Sequence, residues 1–159
     1  DKLIALSWQE EIKNILNECI NIQLNGVEST TVYKNLNLGI YTAVILDWTG
    51  AYSDPEAYLT PLLSCSDLDG EICKKGESVY SGSFWGSKRV EDLFLESENT
   101  NGSERLAKLT EIELIASESI PYIPIWISSQ KAWSQIELSK PIFNGAGIIS
   151  MSDLEFINE

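Results

Sequence analysis

The sequence predicts an α/β domain in which a small, mainly parallel sheet is flanked by helices. Three observations carry that expectation. Residues 20–24 alternate strictly between apolar and polar side chains, residues 41–46 form an apolar run without alternation, and a short helical pattern lies between them. An alternating strand has one buried face, a continuous apolar run is buried on both, and a helix joining the two makes a parallel crossover unit.

Taken in order, Ser7-Trp8-Gln9-Glu10 has the spacing of a capping box, with Ile12, Ile15, Leu16 and Cys19 recurring behind it at helical intervals. This predicts an amphipathic helix with Cys19 as a buried, inert thiol on its apolar face. The alternating strand over 20–24 follows. Ser29 or Thr30 can cap a short helix carrying Val32, Tyr33 and Leu36, and Gly39 stands where a left-handed residue would end it. The apolar strand over 41–46 comes next. Asp54 before Pro55 is a strong helix start, because the carboxylate caps orphan amides and Pro loses nothing at the first helical position. Tyr58, Leu59, Leu62 and Leu63 supply the buried stripe of that helix, which Pro61 shortens or bends.

From Cys65 to about Gly86 the chain is rich in Ser, Gly and charge, which predicts a long loop. Two helices then follow. The first is capped near Ser87 with Val90, Leu93, Phe94 and Ser97 inward, and the second is capped by Ser103 with Leu106, Leu109, Ile112 and Ile115 inward. The turn between them is Asn99-Thr100-Asn101-Gly102, and its Asn101-Gly102-Ser103 sequon is explained by turn and cap. Residues 120–127 are apolar and β-prone, but Pro121 and Pro124 confine them to an edge or crossing strand. Beyond Ser128 the pattern weakens to short apolar pieces at Ile136, Phe143 and Ile148-Ile149.

A chain of 159 residues suits one compact core. Its formal charge of -13, from 24 acidic and 11 basic residues, repels phosphate backbones and anionic headgroups, so nucleic acid is excluded as a partner. No apolar run approaches the roughly 20 residues that span a bilayer. The chain opens at Asp1 without an initiator Met, so a targeting segment is expected upstream. Among the three cysteines, Cys65 and Cys73 are close enough in sequence either to be bridged or to remain two unlinked thiols.

The absence of histidine removes the commonest general base and the most frequent transition-metal ligand, so no catalytic role, metal or cofactor is expected. A carboxylate pair remains the one enzymatic alternative. Asp47 and Asp54 flank the carboxyl end of the 41–46 strand, where open α/β sheets bind ligands. Capping is the stronger reading for Asp54, whereas Asp47 is open between ligand contact and structure. Asp67, Asp69 and Glu71 do not make a calcium loop, because Gly70 comes too early and the distal carboxylate is missing. Trp48, Tyr52 and Trp126 are rings placed to stack on a ligand or to pack in the core.

The segment Leu46-Asp47-Trp48-Thr49-Gly50-Ala51-Tyr52-Ser53-Asp54-Pro55-Glu56-Ala57-Tyr58-Leu59 resembles the Trp-x-x-Asp-Tyr-x-Asp-Pro-x-x-Phe-Leu signature of peptide-type (family five) solute-binding proteins of ABC importers. Val90-Glu91-Asp92-Leu93, Glu104-Arg105-Leu106-Ala107-Lys108-Leu109 and Ile120-Pro121-Tyr122-Ile123-Pro124-Ile125 resemble that family's paired helices and return strand. The resemblance runs over essentially the whole chain and is most specific at 44–64 and 103–127.

It implies one lobe of a type II periplasmic-binding-protein-like fold, carboxy-terminal within a longer, two-lobed protein. Residues 1–127 would form the second-lobe α/β domain, and 128–159 a tail returning to the first lobe. The implied location is extracytoplasmic, the implied partners are a peptide or other small solute and the importer's permease subunits, and the implied activity is capture rather than catalysis. Asp47, Trp48, Thr49, Gly50, Ala51, Tyr52, Asp54 and Trp126 would contact ligand. Peptide-binding members carry an Asp before the Tyr position to pair with the ligand's α-amine, and Ala51 stands there instead. An unpaired buried ammonium costs about 3–5 kcal/mol, or two to three decades of affinity. Alternatives are an oligosaccharide-binding member, and an interaction or sensor domain on the same scaffold. Apolar pieces of the tail, deprived of a lobe, would allow self-association.

Overall fold

The computed structural model describes residues 2–16, 19–144 and 147–157. The chain divides into two compact units, Asp1–Asp47 and Trp48–Glu159.

In the first unit, helix α1 runs over Lys2–Ile15. It starts nearly two turns earlier than its capping-box spacing predicts, with Leu3, Ile4 and Leu6 continuing the apolar period upstream and Ser7 inside the helix. No residue of α1 is buried. Gln9 Nε2 donates to the Ile22 carbonyl at 2.7 Å, tying the following extended segment to the helix. Cys19 lies beyond α1 as an exposed free thiol, not on a buried face. Helix α2, Ser29–Asn35, is capped by Glu28, one residue before the expected Ser or Thr; the Glu28 carboxylate accepts from the Thr31 amide at 3.3 Å. A single 3-10 turn, Leu36–Leu38, then ends on Gly39 in the left-handed region at φ 61°, where a Cβ would clash with the following carbonyl. Among the described residues of this unit, Val32 and Leu36 are the buried side chains.

The second unit holds the main core. Helix α3 spans Glu56–Leu63, and Pro61 within it leaves one carbonyl of the preceding turn without its helical donor, consistent with a helix that stops two residues later. The stretch expected to be one long loop contains an antiparallel hairpin, β1 Asp67–Asp69 with β2 Ile72–Lys75, and a short helix, α4 Glu77–Tyr80. A disulfide joins Cys65 to Cys73 with Cα atoms 5.8 Å apart, fastening the end of α3 to β2. Both cysteines are buried.

Helices α5, Lys88–Glu98, and α6, Gly102–Ser119, form the hairpin expected from their periodicity. Val90, Leu93, Phe94, Leu109 and Ile112 meet Leu63 in one buried cluster, flanked by Leu59, Leu62, Trp85, Ile115 and Tyr122. Leu106 faces outward instead. The cap of α6 is Asn101 rather than Ser103, and its side chain makes no capping hydrogen bond.

The sheet is where expectation and structure part. Among the described residues the sheet is two-stranded and antiparallel, so a mainly parallel sheet is ruled out for this chain. Residues 20–24, 41–46 and 120–127 form no strands. Alternation and apolar runs report that a segment is extended, but a ladder also needs a neighbour whose amides and carbonyls face it. No such neighbour pairs with these three segments, and side chains expected in a core stay in solvent: Val44 is 40% exposed, Ile123 67% and Ile127 99%. The tail beyond 128 is held by isolated bridges, Leu138 with Phe156 and Phe143 with Ile149, and by a 3-10 turn at Met151–Asp153. No helix among the described residues is long and apolar enough to cross a membrane.

Candidate binding site

Asp47 closes the first unit. Its backbone carbonyl and Oδ1 accept from the Tyr33 hydroxyl at 2.8 and 2.9 Å. Burial first, and the neighbouring Asp47 carboxylate second, push the Tyr33 phenol above its ordinary value, so it remains a donor at neutral pH.

In the second unit, residues 48–54 run as an irregular loop into α3. Trp48 is 44% exposed and Tyr52 55%, so neither ring is spent on the core. Thr49 and Ala51 are exposed as well, whereas Gly50 is buried. The reason is close approach: a Cβ on Gly50 would lie 2.5 Å from the Tyr58 ring, so the loop rests its glycine directly on that side chain of α3. Ser53, Asp54, Pro55 and Tyr58 line a shallow, open cleft of about 270 Å³ beside it.

Asp54 anchors the loop. Its Oδ1 accepts from the Glu56 amide at 2.9 Å, which caps α3 as the Asp-Pro signal predicts. The Arg105 guanidinium then grips it in a fork, Nη1 to Oδ2 and Nη2 to Oδ1, both at 2.9 Å. Nη2 also donates to Glu56 Oε2 at 2.5 Å. The Arg105 hydrogen bonds, followed by the Glu56 amide, hold the Asp54 carboxyl below its ordinary range, and the two carboxylates push Arg105 upward. Asp54 is therefore ionised and fully engaged.

Trp126, also expected to contact ligand, is 51% exposed and is not among the residues lining the cleft. Among the described residues no group of three or more His, Cys, Asp or Glu side chains is arranged to hold a metal ion. The acidic stretch Asp67–Glu71 forms β1 and the hairpin turn that follows it.

Sequence reasoning missed Arg105, Gly50 and Tyr58 as parts that shape this loop. One signal was present for Arg105. It sits near the amino end of α6, where the helix dipole disfavours a cation and a carboxylate partner offsets that cost. Glu91 was missed too: its carboxylate accepts from the Cys65 amide at 2.6 Å beside the disulfide, and burial raises its pKa.

No family model matches the chain. The chain is similar to a peptide-binding protein. It is 26% identical over 122 residues to Di/tripeptide-binding protein 4 of Pseudomonas aeruginosa, a match covering 76% of this chain and 21% of that protein. The chain thus spans about a fifth of the length of this curated relative, whose name denotes binding rather than catalysis.

Proposed function

We propose that this chain is the ligand-binding, carboxy-terminal portion of an extracytoplasmic solute-binding protein that captures peptides or a related small solute for an ABC importer. The observation that carries the reading is the 48–54 loop: two aromatic rings, Trp48 and Tyr52, stand in solvent on a backbone fixed by Gly50 against Tyr58 and by Asp54 in its fork. Exposed rings on a fixed platform are suited to cover a ligand and exclude water. The similarity to a di- and tripeptide-binding protein supports the same reading.

In this reading Asp47, Trp48, Thr49, Gly50, Ala51 and Tyr52 form one jaw of a clamp, with Trp126 as a further ligand contact and Asp54 setting the jaw's position. Residues 1–127 belong to one lobe, and 128–159 return to another. Permease subunits are the macromolecular partner. The Cys65–Cys73 disulfide favours an oxidising, extracytoplasmic compartment.

Ala51 sets the ligand's chemistry, because no carboxylate stands there to meet an α-ammonium. The test is calorimetric titration of the protein carrying this chain with trialanine, N-acetyl-trialanine and a maltotriose-type sugar. N-acetyl-trialanine is expected to bind at least as tightly as trialanine, and Ala51→Asp to improve trialanine binding by about tenfold or more. Heat from the sugar alone would favour the oligosaccharide-binding alternative, to which the exposed Trp48 and Tyr52 rings also lend themselves. Silence from every ligand would refute the proposal.

A further inference from the structure

We propose that Arg105 is the positioning residue of the 48–54 loop, its guanidinium locking Asp54 and Glu56 so that Trp48 and Tyr52 are held ready for ligand; the ligand part rests on the function proposed above. Arg105 projects from α6, whose Leu109 and Ile112 are fully buried in the core, so the guanidinium is carried by a rigid element. It reaches across 51 residues of sequence to Asp54 and 49 to Glu56. All three side chains are partly buried, at 25% exposure for Arg105, 30% for Asp54 and 28% for Glu56. Water therefore competes less for this contact than for an open surface pair.

A cap on α3 does not need Arg105, because the Glu56 amide already meets Asp54. What the fork adds is direction. Two parallel N–H donors fix the plane of the Asp54 carboxylate, and through it the backbone that leads back to Tyr52, whose carbonyl accepts from the Asp54 amide at 3.0 Å. The fork has a second consequence for recognition. With Asp54 engaged by three donors, the loop offers ligand rings and hydroxyls from Trp48, Thr49, Tyr52 and Ser53, not a spare carboxylate.

The experiment uses Arg105→Lys, which keeps the charge and loses the fork, and Arg105→Gln, which loses both. Amide exchange is followed at Asp54, Glu56 and Ala57 beside the loop, and at Leu93, Leu109 and Ile112 in the core. Both variants are expected to exchange about tenfold faster at the first three positions and within about twofold of the native protein at the core. Native exchange in the Lys variant would overturn the role of the fork, and faster exchange at all six positions would reduce Arg105 to general stability. Titration with N-acetyl-trialanine supplies the second readout, with affinity expected to fall about tenfold in both variants. Should the native protein bind neither trialanine, N-acetyl-trialanine nor the sugar while local exchange still rises, the positioning role stands and the proposed function falls. Unchanged affinity in variants with loosened loops would overturn the claim that positioning serves the ligand.

Discussion

At the scale of single residues, Asp54 and Gly50 carry opposite kinds of constraint on one loop. Asp54 is held by charge. Its carboxyl titrates lower in the folded chain than its ordinary 3.8, so the unfolded chain binds a proton more readily. Its contribution is complete above that ordinary value and is lost as pH falls through the depressed folded one. Native protein should therefore lose stability on acidification more steeply than Asp54→Asn, which should cost about 0.5–1 kcal/mol near neutrality, as expected for a partly exposed pair; parallel urea melts across the acid range would check both. Glu91 acts with the other sign and in a higher window: burial raises its carboxyl above its ordinary 4.5, so it costs stability as pH rises from that value through the raised folded one. Gly50 is held by shape. Gly50→Ala should destabilise the protein by about 1 kcal/mol or less, because the new methyl displaces the outer end of the half-exposed Tyr58 ring. Adding Tyr58→Ala should recover part of that loss, and strict additivity in the double variant would show that the two do not touch.

At the scale of elements, the helices other than α4 were legible and the sheet was not, for a physical reason. The inward faces of α5 and α6, Val90, Leu93, Phe94, Leu109 and Ile112, are set by a local period of 3.6 residues that any window of sequence displays. The start of α3 was legible from Asp54-Pro55 for the same reason, since capping is a contact between near neighbours. The 20–24, 41–46 and 120–127 segments also carry a clear local signal, yet a strand exists only in a ladder, and the identity of its neighbour is not local information. The hairpin at 67–75 was hidden by the reverse effect: its polar composition reads as loop, and the Cys65–Cys73 crosslink, open in the sequence, staples it. Closing a loop with a separation of eight residues removes about 2.5 kcal/mol of unfolded-chain entropy. Reduction under native conditions should therefore lower the unfolding midpoint and first expose β1, β2 and α4, while α5 and α6 stay protected in exchange. A midpoint insensitive to reductant would contradict the staple.

At the scale of the whole molecule, the described residues combine one well-formed core with apolar segments whose side chains stay largely exposed. Ile123, Ile127, Trp133 and Ile136 are exposed at 67%, 99%, 87% and 89%, more apolar surface than an isolated soluble chain ordinarily presents in its extended parts. On the proposed reading these segments complete a two-lobed protein, and alone they pair with one another between copies. Light scattering of this chain should accordingly report a mass that rises with concentration, and a monomer throughout would contradict that pairing. Of the candidate site, the loop and its rings were legible through the 46–59 signature, whereas Arg105 was not, because its partners are about fifty positions away in the sequence.

All of these scales meet in one requirement, that Trp48 and Tyr52 face a ligand. The direct measurement is a resonance-by-resonance titration of the protein with N-acetyl-trialanine, watching the Trp48 indole and the amides of 49–54. The account predicts saturable shifts at Trp48 and Tyr52, with the core amides of α5 and α6 unmoved. Saturable shifts confined to residues away from 48–54, or none anywhere, would contradict it.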